Sequence, residues 1–239
     1  MILERIKQPI FSNLNITKGS TPIPHFGRYD SAKACTISLN PSDREFCDKN
    51  GNILLSEKER LCSRAKLNRL DNEELNDSEA EIVLQYCDDY FQKNPYKSWF
   101  NKYERFLNCF ELSYYDNSVV HLDLVQWSTT PFWGTLTKEV QEELLRKDVP
   151  FLKAQLRKSF ECIFLNGLTT VSEVSSHLKI DLQELDIFLI GKRNSKIFFG
   201  QYNGARVIGW SPYLQSPAVG GYSNIQKVAQ IIKNENEKI

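Results

Sequence analysis

The chain is 239 residues long, enough to bury a sizeable core as one large domain or two small ones, and its 41% apolar and 25% charged residues are those of a soluble globular protein. Lys plus Arg and Asp plus Glu number 30 each, so no global field points to a nucleic-acid partner, although a neutral total leaves room for a local basic face. The six cysteines contain no CxxC pair and the three histidines complete no metal-ligand spacing, which argues against zinc and iron–sulfur sites.

The first segment, "MILERIKQPIF", carries charges throughout, unlike a signal peptide, and no apolar run in the chain is long enough to span a membrane. A reduced, cytoplasmic, soluble protein is expected. Residues 1–30 read as a short helix and a Pro-rich lead-in, followed by a strand at 34–39. Residues 57–70, "EKERLCSRAKLNRL", look helical, with Leu61, Ala65 and Leu67 toward the core. "DSEAEIVLQYCDDYFQKN" opens on an Asp/Ser cap and sets Ile82, Val83, Tyr86 and Tyr90 at helical spacing. "KSWFNKYERFLNCFELS" repeats the pattern with Phe100, Tyr103, Phe106 and Phe110, an aromatic stripe read as core.

A second strand, "SVVHLDLVQW", ends in "STTPFWGTL". Helices are expected at 137–147 and 150–160, the second starting on Pro150, a residue suited to the first helical position. "ECIFLNGL" is a third strand ending in Asn-Gly, with a capped helix "TVSEVSSHL" after it. The last third gives a hairpin turning at Asn203-Gly204, whose second strand breaks at Ser211-Pro212, and a closing helix "NIQKVAQIIKN".

Strands separated by helices indicate an α/β sheet with helices on both faces. Three strands run into small, polar or proline residues: Asn40-Pro41-Ser42, Gln126 to Pro131, and Ser211-Pro212. In open α/β sheets the ligand crevice lies beyond the carboxyl ends of the strands, so these turns are expected to share one cleft. Taken alone, each is equally an ordinary strand-ending turn.

The order of these pieces resembles the uracil-DNA glycosylase superfamily over roughly residues 22–232. "SLNPS" (38–42) looks like the family's Gly-x-Asn-Pro-Gly type turn, which carries the water-activating residue. "GWSPYLQSPAVGG" (209–221) looks like its Ser-Pro-rich loop, which enters the DNA minor groove. "HLDLVQWSTTP" (121–131) sits where the family carries its base-reading residue. The resemblance implies a single domain over 1–239, a three-layer α/β/α sandwich with a central, mostly parallel sheet. It also implies a monofunctional DNA glycosylase that leaves an abasic site, needs no cofactor or metal, and acts on DNA as a monomer.

Carried over position by position, Asn40 and Asp123 are the catalytic candidates, Asn40 orienting the attacking water. Ser42, Asp43, Phe46 and Gln126 are base-binding candidates, with Phe46 a stacking platform or a core residue. Ser211, Pro212, Ser216 and Pro217 would pinch the DNA backbone, with Gln215 in the same loop and Leu214 as the wedge. Lys192, Arg193 and Arg206, with the backbone N–H groups of Gly220 and Gly221, would meet phosphate.

The family's second motif often supplies a histidine, but none follows His177, and Trp210 and Tyr213 stand there instead. The usual base-reading asparagine is also missing. Gln126 has the same amide chemistry, whereas Asp123 would accept from an amino group or be a plain buried strand residue. Ser42 and Asp43 replace the bulky aromatic that strict uracil enzymes place after the first motif. A pyrimidine with a polar group on carbon 5, such as a hypermodified cytosine of phage DNA, is therefore favoured over uracil, with repair or antiviral defence as the setting. "SDRE" (42–45) is otherwise a solvated turn. The competing reading is a catalytically weak nucleic-acid-binding module. A nucleotide hydrolase lacks its phosphate-cradling Gly-rich loop here.

Overall fold

The structure, a computed structural model, describes residues 1–190 and 193–236, with the side chains of 186–194 and 236 outside that description. One six-stranded sheet is made of β1 (Ala34–Ser38), β2 (Val119–Asp123), β3 (Cys162–Asn166), β4 (Gln183–Ile190), β5 (Arg193–Tyr202) and β6 (Ala205–Trp210). Its order is β2-β1-β3-β6-β5-β4. β1 pairs parallel with β3, and β3 parallel with β6. β2 runs with β1, since Ala34 N donates to Ser118 O where they begin and Leu124 N to Ser38 O where they end. β4 and β5 are antiparallel additions beyond β6. The strand order therefore reverses at β1, the position where open α/β sheets place their ligand crevice.

The helices are α1 (Ile2–Ile6), α2 (Asp77–Asp88), α3 (Lys97–Leu107), α4 (Lys138–Gln155), α5 (Leu168–Leu178) and α6 (Tyr222–Asn236). None of the described helices is long and apolar enough to cross a membrane. The chain forms two compact units, each from three segments. Unit 1 is Met1–Tyr29, Ser38–Tyr96 and His121–Gln155; unit 2 is Asp30–Ile37, Lys97–Val120 and Leu156–Ile239.

Several sequence expectations are corrected. Residues 57–70 form no helix, only 3-10 turns at Ser56–Lys58 and Ala65–Leu67, and Ala65 is exposed. A long-range demand overrides local propensity there. The fully buried Arg64 guanidinium donates to the carbonyl oxygens of Gln8 (2.6 Å), Ser20 (3.1 Å), Leu70 (3.2 Å) and Glu73 (2.6 Å), which no helical path through 64 would permit. Helices 137–147 and 150–160 are one helix, α4, with Pro150 inside it. The proline removes one N–H bond, and burial of Leu144, Val149 and Leu152 on the same helix offsets that loss. α2 is capped by Asn76 in a reciprocal box with Glu79, and turns Ala80, Val83 and Cys87 inward while Ile82 stays exposed. α5 begins on Gly167, without the expected side-chain cap. β4 was not anticipated.

In unit 2 the aromatic stripe is core. Phe100, Tyr103 and Phe106 of α3 are buried, and Phe106 lies 4.2 Å, ring centre to ring centre, from Trp210. Phe110 is only half-buried. α5 approaches β6 so closely that a Cβ on Gly209 would stand 2.7 Å from Val171 Cγ2, which restricts that position to glycine.

Arg64→Ala strands four carbonyl oxygens at once, and the expected loss of unfolding free energy is about 3–5 kcal/mol. Urea denaturation reads it, and Arg64→Lys, with fewer directed donors, should recover less than half. A loss under about 1 kcal/mol for Arg64→Ala would mean that water replaces the guanidinium at little cost.

Candidate functional site

β1 is a short apolar strand stopped by Asn40-Pro41, because proline has no N–H to donate and restricts the residue before it. The chain then lies along the segment that leaves β2. Val125 N donates to Leu39 O, and Ser42 bridges to Thr129 in parallel sense. This pairing fixes the Asn40 side chain. Its Nδ2 donates toward Pro41 O (3.1 Å), Trp127 O (3.3 Å) and Thr129 Oγ1 (3.1 Å). A carboxamide whose nitrogen is held by three acceptors has its plane set, and no donor among the described residues reaches Oδ1. A half-buried amide oxygen in a fixed direction suits the binding of one water.

The alternation of a strand puts His121 and Asp123 on one face of β2, and both are buried. Asp123 is 2% exposed, and neither of its carboxylate oxygens has a hydrogen-bond partner among the described residues. His121 Nε2 is 3.6 Å from Oδ1, too long for a hydrogen bond. Against this stands Glu45, 3% exposed, which receives a 2.6 Å hydrogen bond from the Tyr90 hydroxyl. Burial first, then the like charge of Asp123, hold the Glu45 carboxyl up at about 7, although Tyr90 and Arg60 pull the other way. Phe26 packs between these groups, its ring 4.8 Å from that of Tyr90 and 5.4 Å from that of His121. Unit 1 thus gathers two buried carboxyl groups, an imidazole and a phenol.

The other unit 1 candidates divide. Ser42 is exposed and caps a 3-10 turn, Asp43–Glu45, by accepting from Arg44 N (3.1 Å). Asp43 is half-buried and accepts from the Ser42 hydroxyl. The solvated-turn reading of "SDRE" therefore fits its first residues but not Glu45. Phe46 is 1% exposed and is a core side chain as it stands. Gln126 is corrected as a full base-reading amide. Its Nε2 is spent on the carbonyls of Asp123 (2.8 Å) and Leu124 (3.3 Å), so only a buried Oε1 remains. Its backbone N is held by Asp148, itself paired with Arg5 at 2.6 Å.

In unit 2 the loop after β6 is organised by Asn166 at the end of β3. Asn166 Oδ1 accepts from Trp210 Nε1 and Leu214 N, each at 3.0 Å, and Nδ2 donates to Gln215 Oε1 at 2.6 Å. α3 clamps the same loop: Lys102 Nζ donates to Gln215 O (3.1 Å), and Trp99 Nε1 to the Tyr213 hydroxyl (2.7 Å). Gly167 follows with φ +93°, where a Cβ would also crowd Tyr213 at 3.2 Å. Leu214 is wholly buried, so it is no wedge; Tyr213, 42% exposed, is the large side chain the loop presents. Ser211 carries on the β5 pairing, its Oγ accepting from Lys196 N, and Ser216 caps the turn that ends at exposed Gly220. Arg206 is corrected as a neighbour of this loop. It is the second residue of β6, beside Cys162, whereas Ser211 follows the strand's other end, on the order of 15 Å away. Lys192 and the Arg193 side chain lie outside the described residues.

Sequence reasoning missed two organising residues. Glu45 sits in a Ser-x-x-Glu pattern that normally returns the glutamate to the solvent-exposed cap, and its only inward signal is the Phe46-Cys47 run beside it. Asn166 was visible only as half of an Asn-Gly turn. Among the described residues no group of three or more His, Cys, Asp or Glu side chains is arranged to hold a metal ion. The chain matches no protein-family model, and no curated protein matches it.

Because Glu45 is raised from 4.5 to about 7, the folded state keeps a proton that the unfolded chain has released between those pH values. Stability contributed by that proton is full below about pH 4.5 and is lost as pH rises through 7, in all by about 3 kcal/mol. Glu45→Gln cannot titrate. The difference in urea midpoint between this variant and the wild type, followed from pH 4.5 to 8, should grow in favour of the variant as pH rises. A constant difference would show that Glu45 titrates alike in both states.

Proposed function

We propose that the protein is a monofunctional DNA glycosylase of a uracil-DNA glycosylase-like fold, one three-layer α/β/α domain over residues 1–239. It hydrolyses the N-glycosidic bond of a flipped pyrimidine, uracil or, in preference, a base substituted on carbon 5, and leaves an abasic site. One observation carries this reading: Asn40, at the carboxyl end of the strand where the sheet order reverses, has a fixed amide plane and an unused Oδ1. Departure of an anionic base leaves an oxocarbenium-like sugar that needs little nucleophilic push. Asn40 holds the water against the sugar carbon. The Ser211–Ser216 turn contributes backbone and hydroxyl groups toward DNA phosphates.

A second reading, a binding module without turnover, has support of its own. Leu214 is buried rather than poised to wedge, and Gln126 has spent its donors. Incubation with oligonucleotides carrying uracil or 5-hydroxymethylated pyrimidines, then alkaline cleavage at abasic sites, separates the two. Binding without cleavage on every substrate would leave the module.

Asn40→Ala is expected to lower single-turnover base release about 100-fold or more while DNA affinity stays within about twofold, because an oriented water acts in the transition state and not in ground-state binding. Asn40→Asp should lie between, since it retains an oxygen but loses the Nδ2 tether. An unchanged single-turnover rate in Asn40→Ala would remove the water from this residue.

A further inference from the structure

We infer that Asp123 reads the base and selects one bearing an exocyclic amino group at ring position 4, a cytosine type, against the corresponding 4-oxo base. The inference rests on the glycosylase reading above and narrows its substrate class.

Its ground is the hydrogen-bond accounting of the segment that leaves β2. Buried polar atoms are almost always paired, and a buried carboxylate without donors is costly to keep. Yet Asp123 Oδ1 and Oδ2 and Gln126 Oε1 are buried acceptors with no hydrogen-bond partner among the described residues, and Trp127 Nε1 and Ser128 Oγ, further along the segment, are buried without one as well. The main chain there is not loose. Asp123 O accepts from Gln126 Nε2, Gln126 N is held by Asp148, and the segment is bonded to the lead-in by Phe26, Ile23 and Thr17. A fixed set of unmet acceptors calls for a ligand that brings N–H groups. The 4-amino group of a cytosine-type base offers two, while a 4-oxo base presents an acceptor there, which a carboxylate repels.

The nearby groups do not fill this role. His121 Nε2 stops at 3.6 Å from Oδ1, and the Tyr90 hydroxyl is committed to Glu45. Arg60 lies over the Tyr96 ring and donates to Arg44 O. Asp123→Asn exchanges one acceptor oxygen for a donor at unchanged volume, so it should reverse the preference: Nδ2 meets the 4-oxo group and Oδ1 accepts from ring N3–H.

The test compares duplexes that differ only at position 4, containing 5-hydroxymethylcytosine or 5-hydroxymethyluracil, by alkaline cleavage after single turnover. The wild type should release the amino base at least about tenfold faster, and Asp123→Asn should invert that ratio. A wild type that favours the oxo base, or a ratio unmoved by Asp123→Asn, overturns the inference while leaving the glycosylase reading intact. If neither protein releases either base, the glycosylase reading fails. The affinities for 1-methylcytosine and 1-methyluracil, by calorimetry, then decide the role of Asp123. A wild-type preference for 1-methylcytosine that Asp123→Asn abolishes supports it, and equal affinities overturn it.

Discussion

Unit 1 depends on a backbone pairing that no single element supplies. The lead-in before β1 runs antiparallel to the chain that forms and leaves β2. Phe26 and His121 exchange both of their N–H···O bonds, Ile23 N donates to Gln126 O, Thr17 N to Ser128 O, and Thr130 N to Asn15 O. β2 is the edge strand of the sheet, and an uncovered edge would leave a row of unpaired amides. The Pro-rich segment meets that need with few regular hydrogen bonds of its own. Its path is held in turn by Arg64, which collects the carbonyls of Gln8 and Ser20, and by the Arg5–Asp148 pair, which also fixes Gln126 N.

That anchoring explains how unit 1 tolerates costly side chains. An ionisable group buried without partners ordinarily relaxes by moving or by changing its protonation. Glu45 takes the second course in part, its carboxyl held near neutrality beside Tyr90. Asp123 has less room to move, because strand pairing on one side and the lead-in on the other set its backbone. The strain of unmet acceptors therefore stays localised, which is how preorganised sites differ from ordinary cores.

Much of the fold was legible because it follows from periodicity and punctuation. β1, β3 and β6 are short apolar runs closed by Asn-Pro, Asn-Gly and Ser-Pro, β2 is another that stops at Asp123, ahead of the expected Ser-Thr-Thr-Pro, and the aromatic spacing of α3 announces a buried face. What stayed hidden was decided at long range. Residues 57–70 have the composition of a helix, but Arg64 is recruited by four carbonyls, two of them, those of Gln8 and Ser20, distant in sequence. Pro150 has the position of a helix start, but the apolar surface on both sides of it is buried as one piece. The candidate site was legible as residue types at strand ends, hence Asn40 and Asp123. Which of their atoms are already bonded depends on partners such as Trp127 and Thr129, and no local pattern shows that. Leu214 shows the converse: an apolar residue in a polar loop invites an exposed role, whereas Asn166 draws its backbone inward.

The combination of a neutral Asn40 with buried acids in the same unit has its own logic. A carboxylate at position 40 would add another acid to a unit that already holds Glu45, Asp123 and Asp148 out of water, and like charges in a low-dielectric setting raise one another's pKa. The added group would tend to be protonated and would bind water through the wrong end. An amide avoids this. It needs no proton balance, its nitrogen is satisfied by Trp127 and Thr129, and its oxygen keeps the same acceptor character at any pH. Orientation and charge are thereby assigned to different residues. In the glycosylase proposed here, direction would come from Asn40, a residue that carries no charge, and not from the buried acids Glu45 and Asp123.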